Sequence, residues 1–182
     1  MIQRAGTATI ADLYKVPGKA ELVNGEIVHM SPASAGHGRA SIRILQSLLE
    51  YEERTKSGCA FGDNIGFVVD LPHRQSFSPD VAYFFGSYND DEFVDGAPAF
   101  AVEVRSPEES GPAAERKLAA KRDDYFAAGT QVVWDVDMIR DKVIRVHRAA
   151  SPDQPTTYAI GDTAEAEPAL SDWTMAVADL LR

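Results

Sequence analysis

The chain has 182 residues, 45% of them hydrophobic and 25% charged, which suits one globular domain with a core of its own. Its net charge of −10 argues against a surface covered with basic residues, and the single cysteine, Cys59, excludes an intramolecular disulfide and a multi-cysteine zinc site. No apolar run approaches the ~18 residues of a membrane span, and the N-terminus lacks the apolar core of a signal peptide. We therefore expect a cytoplasmic protein without membrane contact.

The first half of the chain predicts a short arm, a hairpin, a helix and several strands. Residues 1–18 form the arm, and Asn24-Gly25 between two short apolar runs is typical of a β-hairpin over 21–30. A helix is expected from about His37 to Arg54, with an inward face made of Ile42, Leu45, Leu48 and Leu49. Strands are expected near 59–61, 64–70, 80–85 and 99–105.

A second helix is predicted over 113–128, because Pro112 precedes it and Gly129 follows it. At 100° per residue, one narrow face collects Ala114, Leu118, Lys121, Tyr125 and Ala128. Lys121 therefore lies near the middle of the face that should meet the core. A cation in that position needs a carboxylate partner or a catalytic reason.

The remainder of the chain predicts strands at 132–137 and 143–147 with a turn at 139–141 between them, a weak strand near 157–160, and a short apolar end from Trp173 to Leu181. Strands cluster between the two helices, which favours a mixed α/β domain with one sheet. Residues 19–182 are thus expected to form a single domain.

Two carboxylates stand out on neighbouring predicted strands. Asp80 begins one strand, and Glu103 lies within the next, on the face opposite Val102. If the strands pair, the two carboxylates converge and repel each other unless a cation lies between them. Mg²⁺ or Mn²⁺ prefers such oxygen ligands. With Lys121 packed over this edge to orient or activate water, the pattern predicts metal-dependent phosphodiester hydrolysis.

The order of several segments resembles the Uma-type family of bacterial proteins, which belongs to the PD-(D/E)XK nuclease superfamily. The match covers about residues 20–180 and rests on these segments: Glu21-Leu-Val-Asn-Gly-Glu-Ile-Val-His-Met-Ser-Pro, His37-Gly38, Ser78-Pro79-Asp80, Glu103-Val104-Arg105-Ser106-Pro107, Lys121-Arg-Asp-Asp-Tyr125-Phe-Ala-Ala-Gly129 and Val133-Trp134-Asp135-Val136-Asp137. One departure from the superfamily pattern is that Arg105 occupies the usual lysine position. In the Uma-type pattern the following helix supplies the lysine four residues before a tyrosine, as Lys121 and Tyr125 do here.

The resemblance implies a restriction-endonuclease-like fold, an α+β arrangement in which helices flank a mixed central sheet and a β-hairpin precedes it. It implies that Asp80 and Glu103 bind the metal and that Lys121 is the catalytic lysine, and it suggests Glu21 as a further acidic member of the site. The Val104 carbonyl is an additional candidate metal ligand. The expected function is a Mg²⁺-dependent (or Mn²⁺-dependent) endonuclease acting on DNA.

Basic residues near Lys121 are candidates for contact with the DNA backbone. Between Arg105 and Arg122 there are five basic and three acidic residues, so this region is locally positive despite the acidic chain. The candidates are Arg105, Arg116, Lys117 and His37. Cutting both strands of a duplex is easiest for a two-fold dimer, so a homodimer is expected.

Each candidate also has a structural explanation. Asp80 suits a strand start or an Asx-turn, and Glu103 with Lys121 suits a buried ion pair. Glu21 suits an exposed strand residue beside Lys19, and His37 a surface loop. Asp135 and Asp137 suit solvated strand ends. The corresponding hypothesis for the whole chain is a catalytically inactive nuclease-fold protein that acts as a binding or scaffold module.

Overall fold

The computed structural model describes residues 7–107 and 110–181, which contain three α-helices, thirteen strands and a terminal 3-10 helix at Val177–Leu181. The helices are α1 (Ile10–Leu13), α2 (Ala35–Thr55) and α3 (Pro112–Ala128). The strands are β1 (Ala20–Val23), β2 (Glu26–His29), β3 (Cys59–Phe61), β4 (Phe67–Leu71), β5 (Arg74–Phe77), β6 (Val81–Phe84), β7 (Val94–Asp95), β8 (Phe100–Val104), β9 (Val132–Asp137), β10 (Val143–Arg148), β11 (Ser151–Ala159), β12 (Thr163–Ala166) and β13 (Leu170–Ala176).

The central sheet has six strands in the order β11-β10-β9-β8-β6-β3. Its pairs are antiparallel except β8 with β9, which run parallel. Parallel neighbours need a long crossover, and α3 supplies it. Because α3 must pack back onto the sheet that it connects, its inward face lies over the strand that carries Glu103.

A second sheet of five strands has the order β2-β1-β5-β4-β7, and β12 with β13 form a third. The prediction of a single sheet was therefore wrong. Strands β5, β7 and β12 have four, two and four residues, and their sequences do not show the apolar alternation that identified the other strands. Strand β13 lies partly where the sequence predicted only a short apolar end. The β1–β2 hairpin is confirmed: Val23 pairs with Glu26, and Asn24 and Gly25 both have positive φ, as a type I′ turn requires.

The two faces of the central sheet bury different partners. One face packs against α2 and the C-terminal strands around Phe100, Val102 and Trp134. The other face packs Ala101 and Val133 against Phe67, Phe77 and Tyr125, where Phe77 and Tyr125 stack with ring centroids 4.0 Å apart. Glu103 alternates with Val102 and so faces the second cluster.

Helix α2 confirms the predicted helix but not its inward face. Leu48 is buried and Leu45 partly buried, whereas Ile42 and Leu49 are 63% and 47% exposed. The buried stripe instead follows Ala40, Ser41, Ile44, Leu48 and Tyr51. Ile42 lies about 200° around the helix from both Ala40 and Ile44, so it must face away from the core. Within residues 7–107 and 110–181, no helix combines the length and hydrophobicity needed to cross a bilayer.

Candidate active site

Asp80 lies directly before β6 and is fixed by the backbone of β8. Its N–H donates to the Val102 carbonyl at 3.0 Å, and the Val104 N–H donates to Asp80 Oδ2 at 2.7 Å. Val81 pairs with Val102 in the antiparallel register, which puts Asp80 beside Glu103. The two strands therefore pair, which is the condition under which their carboxylates converge.

Two basic side chains lie against the other oxygen of Asp80. Lys19 Nζ is 2.6 Å and His37 Nε2 is 3.2 Å from Oδ1, and Lys19 Nζ is also 2.6 Å from Asp63 Oδ1. Burial by itself would raise the pKa of Asp80, but the hydrogen bond from His37 and the charge of Lys19 outweigh it and lower that pKa. Asp80 is thus an ionised carboxylate.

Glu103 and Glu21 share one lysine. Lys121 Nζ is 2.9 Å from Glu103 Oε1 and 2.9 Å from Glu21 Oε1. The Tyr125 hydroxyl, one helical turn after Lys121, donates to the same Glu103 oxygen at 2.6 Å. We call Asp80, Glu103, Glu21, Lys121 and Lys19 the ammonium cluster.

The pKa values of this cluster follow from burial and charge. Burial would lower the pKa of Lys121, but the negative charges of Glu103 and Glu21 raise it, so the side chain stays protonated. Burial raises the pKa of Glu103, and the nearby charges of Asp80 and Glu21 act in the same direction. The pKa of Glu21 is instead lowered, because Lys121 and Arg74 together outweigh its burial.

Arg74 holds Glu21 in place and was not predicted from the sequence. Its Nη1 donates to Glu21 Oε2 at 2.6 Å and its Nε to Asp124 Oδ2 at 2.7 Å, while the Ser78 N–H donates to Glu21 Oε1 at 2.9 Å. Glu21 is only 3% exposed, so its interpretation as an exposed strand residue was wrong. The partner comes from β5, which pairs with β1 through Val23 and Arg74, and no local pattern indicates that pairing.

A second group of charges lies beyond the end of β8 and contains Arg105, Arg122, Glu115 and Asp135, which we call the guanidinium cluster. Arg105 is buried, and its Nε and Nη2 donate to the two oxygens of Asp135 at 2.6 and 2.7 Å. It also pairs with Glu115, and Arg122 lies 3.7 Å from Asp135. Asp135 and Asp137 are both buried, so their interpretation as solvated strand ends was wrong.

The other sequence candidates lie in different surroundings. Arg116 and Lys117 are exposed on the first half of α3. His37 lies in the first turn of α2, after the cap Ser34, and its side chain is 9% exposed, so the surface-loop interpretation was wrong. A cavity of about 180 Å³ has Gly18, Ala20, Asn64 and Ser78 in its lining.

The donor set at Asp80 and Glu103 fits a small divalent cation. Within the part of the chain that the structure describes, no group of three or more His, Cys, Asp or Glu side chains forms a ready metal site. Mg²⁺ nevertheless commonly takes one or two carboxylates and completes its shell with water and phosphate. The ammonium of Lys19 lies against Asp80, and the negative charges of Asp80 and Glu103 raise the pKa of Lys19. The space beside Asp80 therefore already accommodates a cation.

Comparisons with known proteins identify the family and a similar fold. The family model Uma2, described as a putative restriction endonuclease, matches residues 10–178. No curated protein matches the sequence. Among solved structures, the fold is similar to the crystal structure of a putative nuclease belonging to DUF820 from Anabaena variabilis ATCC 29413, with a TM-score of 0.74 and 17% identity over 94% of this chain and 96% of that one. The expected α+β fold is therefore confirmed, and the chain belongs to the Uma2 family of putative restriction endonucleases.

Proposed function

We propose that this protein is an endonuclease that hydrolyses DNA phosphodiester bonds with Mg²⁺ or Mn²⁺. Asp80 and Glu103 hold the metal, and Lys121 orients the attacking water. The observation that carries this proposal is the position of Lys121, whose ammonium lies 2.9 Å from Glu103 on the strand that pairs beside Asp80. An ammonium held against Glu103 is placed to orient a water near these two carboxylates, which supports metal-dependent phosphodiester hydrolysis.

The chemistry divides between the metal and the side chains. A bound Mg²⁺ or Mn²⁺ would supply Lewis-acid stabilisation of charge on the phosphoryl oxygens. Because the raised pKa of Lys121 keeps it protonated, it donates hydrogen bonds and stabilises negative charge, and it does not accept a proton. Glu21 is a positioning residue, since it holds Lys121 and is itself held by Arg74.

Contacts with the DNA backbone are assigned to exposed basic residues. Arg116 and Lys117 lie on α3, the helix that carries Lys121, and their exposure supports this role. Arg105 is buried against Asp135 and Glu115, which supports a structural role for it instead. His37 contacts Asp80 and is assigned to orienting that carboxylate, while Val104 contributes its N–H to Asp80 and remains a candidate ligand through its carbonyl. A homodimer would bring two such sites to a duplex.

A calorimetric titration with Mn²⁺ tests the metal site. We expect the wild type to bind Mn²⁺ and the double variant Asp80→Asn/Glu103→Gln not to bind it. The matched control is Asp90→Asn/Glu92→Gln, which makes the same charge change at two exposed positions and should bind like the wild type. Equal binding by all three proteins would contradict the assignment of the ligands.

Cleavage of supercoiled plasmid DNA in Mn²⁺ then separates the nuclease from an inactive scaffold with the same fold. Cleavage products from the wild type that are absent with Asp80→Asn/Glu103→Gln would support the nuclease. A wild type that neither binds Mn²⁺ nor cuts DNA would favour the scaffold, in which the ammonium cluster is only a set of structural ion pairs.

A further inference from the structure

Lys19 is a half-buried cation that the proposed hydrolysis does not use. It directly precedes β1, its side chain is only 15% exposed, and its ammonium lies 2.6 Å from both Asp80 Oδ1 and Asp63 Oδ1. Burial opposes its charge, but Asp80 and Glu103 outweigh burial and raise its pKa. The ammonium therefore lies within the electrostatic field of both proposed metal ligands.

The bonding of Asp80 leaves one side of its carboxylate for a cation. Oδ2 accepts the Val104 N–H at 2.7 Å, which fixes that oxygen to the β8 backbone. Oδ1 faces Lys19 at 2.6 Å and His37 at 3.2 Å. Mg²⁺ binds carboxylate oxygens at about 2.0–2.1 Å, so Mg²⁺ and the Lys19 ammonium would repel each other strongly if both lay against Oδ1.

We propose that Lys19 is an intramolecular competitor of the divalent cation at Asp80, an inference that rests on the proposed function. In the metal-free protein the ammonium neutralises Asp80 and reduces its repulsion with Glu103. Metal binding displaces the ammonium from Oδ1, and Asp63, on the more exposed side of Lys19, retains it nearby. Lys19 thereby stabilises the metal-free site and weakens metal affinity.

Calorimetric titration of Mn²⁺ into Lys19→Met tests this competition, because methionine keeps much of the apolar side chain and removes the charge. We expect Lys19→Met to bind Mn²⁺ at least about tenfold more tightly than the wild type. The matched control is Lys15→Met, since Lys15 is exposed and, among the described residues, forms an ion pair with Asp12 alone, three residues earlier. Its affinity should equal that of the wild type. In Lys19→Met/Asp80→Asn the gain should disappear.

Thermal unfolding gives a second readout, with Lys19→Gln as a more polar variant if Lys19→Met does not fold. Without metal, both variants should have a lower Tm than the wild type, and saturating Mn²⁺ should raise their Tm by more than it raises that of the wild type. Tight Mn²⁺ binding by Lys19→Met and Lys19→Gln, together with weak binding by the wild type, would support competition between Lys19 and the metal most strongly.

Other outcomes separate the two proposals. Equal or weaker Mn²⁺ binding by both Lys19 variants, with clear binding by the wild type, would overturn the competition and leave the proposed metal site intact. Absence of Mn²⁺ binding in the wild type and in both variants would overturn both.

Discussion

The ammonium cluster and the guanidinium cluster use the same strand but differ in how their charges are paired. Glu103 and Arg105 are two residues apart at the end of β8, yet Glu103 contacts Lys121 and Arg105 contacts Asp135. In the guanidinium cluster, two arginines meet two carboxylates, and the planar fork of Arg105 donates to both oxygens of Asp135. In the ammonium cluster, two lysines meet three carboxylates.

This difference indicates which cluster can exchange partners. A bidentate guanidinium pair satisfies both groups in a fixed geometry and is difficult to replace by another ligand. An ammonium is a compact point charge, and a metal ion can take its place beside a carboxylate. The guanidinium cluster therefore suits a structural role, and the ammonium cluster suits a site that binds a cation and a phosphate.

The largest expected effect comes from Lys121→Met. We expect DNA cleavage in Mn²⁺ to fall by about 10³-fold, because the group that orients water and stabilises charge is lost. Folding should survive, since Glu21 keeps Arg74 and Glu103 keeps Tyr125 as partners. Cleavage rates and urea unfolding measure the two effects. Unchanged cleavage together with a loss of about 3–5 kcal/mol in the free energy of unfolding would show a structural ion pair instead.

Arg105→Met should have the opposite result. Removing the buried guanidinium leaves Asp135 buried, and the cation that still lies near it in the described part of the chain is Arg122 at 3.7 Å, so the free energy of unfolding should fall by about 3–5 kcal/mol. Mn²⁺ affinity should not change, because the side chain of Arg105 bonds to Asp135 and Glu115 and, within the described residues, to neither proposed metal ligand. Urea unfolding measures the stability, and calorimetry measures the Mn²⁺ affinity. A loss of Mn²⁺ binding in a folded Arg105→Met variant would contradict the prediction and show that the guanidinium cluster contributes to the metal site.

Arg122→Met should change the free energy of unfolding only slightly. This variant tests whether an arginine that lies near Asp135 without a hydrogen bond contributes as much stability as Arg105, which is hydrogen-bonded to it. Its Nη1 lies 3.7 Å from Asp135, beyond hydrogen-bond distance, whereas Arg105 donates two bonds to that carboxylate. We expect urea unfolding to show a loss of no more than about 1 kcal/mol. A loss as large as that of Arg105→Met would show that the two arginines act as a unit.

Two histidines, one beside each cluster, should respond to pH in opposite directions. Burial and then the charge of Arg122 lower the pKa of His147 from 6.5, so its stabilising contribution is present above pH 6.5 and is lost as the pH falls through the folded-state pKa. The hydrogen bond to Asp80 raises the pKa of His37 from 6.5 despite burial, so its contribution is present below pH 6.5 and is lost as the pH rises through the higher folded-state value.

Urea unfolding of the wild type, His147→Gln and His37→Gln between pH 5 and 8.5 measures these contributions. The advantage of the wild type over His147→Gln should shrink toward acid pH, and its advantage over His37→Gln should shrink toward alkaline pH. Parallel pH profiles for all three proteins would contradict both assignments.

The sequence identified most of the central sheet and three of the five ammonium-cluster residues without the resemblance. Strand β9 has the bounds that the sequence predicted. The predicted range of α3 omits only its first residue, because Pro112 and Gly129 mark the ends of that helix locally. Lys121 was found because a cation on an apolar helical face is unusual. Lys19 and Arg74 were missed as site residues, since nothing in their own segments distinguishes them from surface cations.

Interactions between neighbouring residues decide the Asn24-Gly25 turn, the ends of α3, and the alternation that puts Glu103 opposite Val102, so these features can be predicted locally. The tertiary structure decided which charges meet. Lys19 reaches Asp80 across 61 residues, and Arg74 reaches Glu21 across 53 because β5 pairs with β1. Charge partners depend on strand pairing and on the faces that the core buries, and neither is encoded in a local pattern.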